Sequence, residues 1–127
     1  MARKQKLMTK QIEKLIAKHP YLSQDGKGLD AKVLVKYFLP CSAVTWYITE
    51  GEKTDNGDYI LYGWCNLGYG FEFGPVSLSE LESCKKKFMW GYVYVERDIM
   101  VKNGKDTLRD MCEYDSQLKE DLNFLNS

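Results

Sequence analysis

The chain has 127 residues, eighteen basic and eighteen acidic, and is 44% hydrophobic and 13% aromatic. That length suits one domain, residues 1–127, able to bury about 65–70% of its unfolded surface, and the balance is that of a globular rather than a disordered protein. No apolar run approaches the ~20 residues of a membrane-spanning helix, and only Leu7-Met8 follows the basic start, so a cytoplasmic location is expected.

The two signs of charge are segregated. Residues 1–20 carry Arg3, Lys4, Lys6, Lys10, Lys14 and Lys18 against Glu13 alone. Residues 106–127 carry Asp106, Asp110, Glu113, Asp115, Glu120 and Asp121 against Arg109 and Lys119. Such asymmetry can steer partners, but solvated helix faces produce it too, and that reading is preferred. Cys41, Cys65, Cys84 and Cys112 form no C-x-x-C pair, so they read as reduced, mostly buried thiols rather than disulfides or zinc ligands.

Thr9 predicts the N-cap of a helix through Lys18, with Met8, Ile12, Leu15, Ile16 and His19 in one stripe and Pro20 as its stop. Lys10, Lys14 and Lys18 align on one side of it. Leu22 to Asp30 reads as a loop and Ala31 to Leu39 as a strand. In Val44 to Glu50 the side chains Val44, Trp46 and Ile48 alternate with Thr45, Tyr47 and Thr49. Asp55-Asn56-Gly57-Asp58 predicts a hairpin through the positive φ that Asn-Gly tolerates, with Tyr59 to Cys65 as the return strand. After the Asn66-Leu67-Gly68 turn, Tyr69, Phe71 and Phe73 face one way in a further strand and Gly70, Glu72 and Gly74 the other.

Ser77 and Glu80 fit a capping box for a short helix that turns Leu78 and Leu81 inward. Lys85, Lys86 and Lys87 are placed at its C-terminal end, where positive charge is favoured. Phe88 and Trp90 are read mainly as core residues leading into a last strand, Tyr92 to Asp98. On that strand Tyr92, Tyr94, Glu96 and Asp98 share one face, and Arg97 continues the apolar row of the other. A guanidinium there needs a carboxylate partner, and Glu72 or Glu50 is the economical choice. Asn103-Gly104 reads as a turn. Asp106 or Thr107 caps a terminal helix, with a kink or a second short helix near Asp115-Ser116, and the segment from Leu118 onward is expected to be loosely held.

Trp46-Tyr47 with Glu50-Gly51, the Asp55-to-Asp58 turn, Tyr62-Gly63, Phe73-Gly74 with Ser77 to Glu82, and Val95 to Asp98 occur together in order. As a set they resemble the uncharacterised family known as domain of unknown function 2958. The resemblance covers about residues 7–101 and leaves an acidic helical tail, 105–127, outside it. It implies a small bacterial protein of plasmids, conjugative elements or phages, with host-directed binding, counter-defence or plasmid maintenance as its setting, by analogy alone. It implies no established activity.

The residues favour binding over catalysis. His19, the only histidine, falls at a helix end, where it caps carbonyls rather than completing a nucleophilic triad. Gly68 to Gly74 has the bulky alternation of a strand and lacks the Gly-Lys-Ser/Thr ending of a phosphate loop. Glu50, Glu72, Glu96 and Asp98 could converge on Mg²⁺ or act as an acid–base pair, which makes a metal-dependent hydrolase the third reading. Lys85, Lys86 and Lys87, with Phe88 and Trp90 beside them and Lys10, Lys14 and Lys18 in support, make a nucleic-acid-binding accessory protein the second.

The leading reading is a small non-enzymatic protein-binding protein of a mobile element. It has no cofactor, no metal and no membrane span, and its protein partner is unknown. Trp46, Tyr47, Tyr92, Tyr94 and Glu96 are the contact candidates, with Arg97 and Glu72 or Glu50 as an ionic centre beneath. The fold expected is α+β, a twisted, mainly antiparallel sheet of about five strands flanked by helices.

Overall fold

A computed structural model describes residues 5–126, so Arg3 and Lys4 of the basic start lie outside the described residues. Helix α1 is Lys10–Lys18. The Thr9 hydroxyl accepts the Ile12 amide at 3.2 Å, and His19 Nδ1 lies 2.8 Å from the Leu15 carbonyl. Both ends close as their residue types predict.

Seven strands follow among the described residues: β1 (Val35–Phe38), β2 (Thr45–Lys53), β3 (Tyr59–Asn66), β4 (Phe71–Ser77), β5 (Lys85–Phe88), β6 (Gly91–Tyr94) and β7 (Glu96–Arg97). Five of them form one antiparallel sheet in the order β4-β3-β2-β1-β7. The expected α+β architecture is therefore present. The remaining pair, β5 and β6, forms a separate two-stranded ribbon.

The sheet is the middle of three layers. On one face Trp46, Ile48, Tyr37 and Leu61 pack with Ile12 and Ile16 of α1 and with Leu78 and Leu81 of α2 (Leu78–Ser83). On the other, Tyr47 and Phe71 pack with Leu108 and Met111 of α3 (Leu108–Cys112) and with Leu118 and Leu122 of α4 (Ser116–Asp121). The predicted alternation of β2 holds, and both of its faces are covered. Gly63 lets the middle strands close: a Cβ there would overlap the Tyr47 carbonyl oxygen and lie 2.8 Å from the Ile48 Cα.

Ser77 and Glu80 form the predicted capping box, and Thr107 with Asp110 forms another. Asp115 caps α4, where the second terminal helix was expected. At the first hairpin the positive φ belongs to Gly57, at 86°, and not to Asn56.

Four expectations need correction. The terminal segment is not loosely held, because Leu118 and Leu122 are fully buried in the second core. The strand over 31–39 begins only at Val35, since Val33 and Lys32 pair with the 104–107 segment instead. Tyr92 to Asp98 is not one strand: Val95 is fully buried and divides β6, in the ribbon, from β7, at the sheet edge. Lys85, Lys86 and Lys87 do not close α2, because Cys84 is already extended and the lysines run on as β5.

Candidate interaction surface

The ribbon joins a lysine run to an aromatic one. Lys85 pairs with Tyr94, Lys86 with Val93, Lys87 with Tyr92 and Phe88 with Gly91. Side chains alternate across a strand, so Lys85, Lys87, Tyr92 and Tyr94 share one face. Val93, on the other, packs against the α1/α2 side of the sheet and anchors the ribbon. The Lys85 ammonium lies 4.6 Å from the centre of the Tyr92 ring, a cation–π contact.

Met89 and Trp90 form the tip. Met89 has φ 55°, a left-handed conformation that glycine or asparagine would adopt with less strain. A bulky apolar side chain therefore stands where turn chemistry asks for none. Trp90 is 100% exposed and Met89 77%, while Tyr92 and Phe88 are about half exposed. Phe88 and Trp90 are thus not core residues, as the sequence reading had them. The signal was present: a lysine-rich run and an alternating Tyr-Val-Tyr run separated by a short turn is a hairpin pattern.

The remaining contact candidates separate. Trp46 and Tyr47 are buried at 5% and 1% exposure and face opposite cores, so neither offers an exposed aromatic face of the kind expected. Both are apolar-bodied side chains on an inner strand, and the helix layers reach them from either side. Tyr92 lies on the outer face of the ribbon, Tyr94 is half-buried near its base, and Glu96 is exposed on β7.

The ionic centre expected from Arg97, Glu72 and Glu50 is not assembled. Glu72 is on β4 and Arg97 on β7, the two opposite edges of the sheet, separated by roughly 19 Å at about 4.8 Å per strand. Arg97 donates instead from Nε to the Lys6 carbonyl at 3.3 Å. Glu50 is 3% exposed and accepts the Leu22 and Gln24 amides at 2.8 and 3.3 Å. The Gln24 side chain, missed by the loop assignment, is equally buried and bonds the Lys32 and Thr49 carbonyls and the Lys32 amide. These two residues staple the 21–27 loop to β2. Asp98 pairs with Lys36 at 3.2 Å. The four carboxylates offered for metal or acid–base chemistry are therefore dispersed, and no group of three or more metal-ligating side chains gathers among the described residues.

Lys10, Lys14 and Lys18 are exposed along α1, on the side of the sheet from which the ribbon grows. On the opposite side a cleft of about 450 Å³ opens between α3 and the loop after β7. Its apolar lining is Tyr47, Met100, Val101, Met111 and Tyr114. Asp98, Asp106, Asp110 and Glu113 outnumber Lys36 and Lys102 around it. The four cysteines are free thiols; Cys41 is exposed and the others are half-buried. Burial pushes the Cys65 thiol up to about 12, which leaves it a weak nucleophile. No helix among the described residues is long and apolar enough to cross a membrane.

An antiparallel sheet covered on both faces, with a basic and aromatic ribbon projecting from one layer, defines a small α+β protein. The chain belongs to the family described as protein of unknown function (DUF2958), whose model matches residues 7–117. The match runs past Val101 and through α3, so the family region extends well into the acidic segment that the sequence resemblance left outside. No curated protein and no solved structure matches the chain significantly.

Proposed function

We propose that this is a small non-enzymatic, cytoplasmic protein of a bacterial mobile element that docks on a partner protein through the β5–β6 ribbon. The observation that carries the reading is Trp90, wholly exposed at the ribbon tip beside Met89 and Tyr92. Tryptophan and tyrosine anchors surrounded by polar residues are the usual centres of binding energy at protein interfaces. Lys85, Lys86 and Lys87 give the ribbon a positive flank, which favours a partner groove that is apolar at its centre and acidic at its rim. Relative to the sequence reading, Trp90 and Met89 replace Trp46 and Tyr47 in the contact set, and Tyr92 stays in it. The mobile-element setting rests on the family resemblance.

One observation favours a second reading. The Lys85–Tyr92 contact and the width of a two-stranded ribbon also suit nucleic acid, where aromatics stack on bases and lysines track phosphates. One experiment addresses both: affinity capture from bacterial lysate with wild-type chain and with Trp90→Ala, each with and without nuclease, read by mass spectrometry. A discrete protein retained by the wild type after nuclease and lost with Trp90→Ala is the expected result. Loss of all captured material with nuclease transfers the ribbon to nucleic acid, and capture unchanged by Trp90→Ala removes it from both roles.

A further inference from the structure

The ribbon has a chemical complement on its own molecule. We infer that a second copy of this chain is a partner of the ribbon, with Trp90 and the flanking lysines of one copy seated in the α3 cleft of the next. This rests on the reading of the ribbon as the docking element.

The complement is one of shape, apolarity and charge. Trp90 and Met89 present an indole and a thioether without cover, and the cleft, at about 450 Å³, has methionine and tyrosine walls. Methionine sulfur against an aromatic ring is a favourable contact, and an indole brings some of the largest apolar area of any side chain. Met100 and Tyr114 at the mouth of the cleft are more than four-fifths exposed. The ribbon carries three lysines and no acid, whereas the cleft carries four carboxylates against two lysines. A net charge of zero leaves no overall repulsion between copies to oppose this local attraction.

The two surfaces lie on opposite sides of the sheet: Val93 roots the ribbon on the α1/α2 side, and Tyr47 and Met111 line the cleft on the α3/α4 side. A chain therefore uses its ribbon on a neighbour and keeps its own cleft for another. The association is head-to-tail, which closes into a ring or extends as a filament.

The test is sedimentation velocity of the full chain over increasing concentration, at low and high salt. Wild-type chain is expected to form species larger than the monomer, and these recede at high salt as the rim charges are screened. Trp90→Ala is expected to weaken association about 30-fold, the weight of a central aromatic anchor. Lys85→Glu with Lys87→Glu, and separately Met100→Lys with Glu113→Lys, each give monomers. Mixed together these two double variants associate again, because the intact ribbon of one meets the intact cleft of the other. Thermal melts establish that each variant folds, and Trp90→Ala alone decides the case if a double variant does not.

Wild-type chain that stays monomeric at every concentration overturns the inference. So does association indifferent to Trp90→Ala, or a mixture that remains monomeric. Failure here is separable from failure of the proposed function. A monomeric wild type whose captured partner is still lost with Trp90→Ala keeps the ribbon as docking element and removes only the second copy.

Discussion

The hydroxyl of Tyr47, on the inner strand β2, donates a 2.8 Å hydrogen bond to Oδ2 of Asp115, whose other oxygen accepts the Leu118 amide at 3.1 Å and caps α4. One contact thus joins the sheet to the terminal helix. Burial, and after it the Asp115 carboxylate, raise the Tyr47 phenol above its ordinary value. Burial does the same to Tyr37, whose hydroxyl donates to the Leu7 carbonyl at 2.7 Å.

A phenol that holds its proton more tightly in the folded chain contributes stability that is fully present below the unfolded value, about 10, and is lost as pH rises above it. Stability is therefore expected to fall from about pH 9 upward, where Cys65, raised to about 12 from an ordinary value near 9, begins to contribute, and more steeply above about pH 10 as the two phenols join it. Urea unfolding from neutral to alkaline pH checks this. Tyr47→Phe should begin about 1–2 kcal/mol less stable and decline less steeply. An alkaline limb identical to that of the wild type would remove Tyr47 as a cause.

Glu50 and Glu72 should differ sharply although either was a candidate partner for Arg97. Glu50→Gln turns one acceptor of two backbone amides into a donor facing a donor, at an expected cost of about 2–3 kcal/mol. Faster hydrogen exchange at the Leu22 and Gln24 amides should accompany it, since those are the groups Glu50 holds. Glu72→Gln, on an exposed side chain, should stay within about 0.5 kcal/mol.

Gly63 and Gly74 are cross-strand partners with opposite tolerances. Gly63→Ala forces a Cβ into the backbone of β2 and should cost more than about 4 kcal/mol or prevent folding. A Cβ on Gly74 meets nothing within 4 Å, and Gly74→Ala should be close to neutral. Denaturation midpoints of the two variants measure the difference directly.

Leu118→Ala tests whether the terminal helices belong to the fold. A fully buried leucine in the second core should cost about 2–5 kcal/mol on truncation. A loss below about 0.5 kcal/mol would return this segment to the loosely held tail that its acidic composition suggests.

Local chemistry was legible in the sequence because its causes are local. Thr9 and the Ser77–Glu80 box act on amides three residues away, Gly57 turns its own backbone, and the β2 alternation follows from the pleat alone. These features determined helix starts, the first hairpin and an antiparallel α+β sheet without reference to any distant contact.

What covers each face is a different kind of fact. Alternation assigned Trp46 and Tyr47 to opposite sides, but only the docking of α1 and α2 on one side and of α3 and α4 on the other buries both. The position of a strand in the sheet order placed Glu72 and Arg97 at opposite edges, where no pairing preference can join them. Glu50 found its partners in a loop 26 to 28 residues earlier in the chain. Trp90 has the composition of a core residue, yet β5 and β6 pair with each other rather than with the main sheet, and its indole is left in water. Composition and periodicity therefore determined which groups seek burial or hydrogen bonds, and tertiary packing decided which of them obtain it, because those contacts join segments whose spacing along the chain carries no signal.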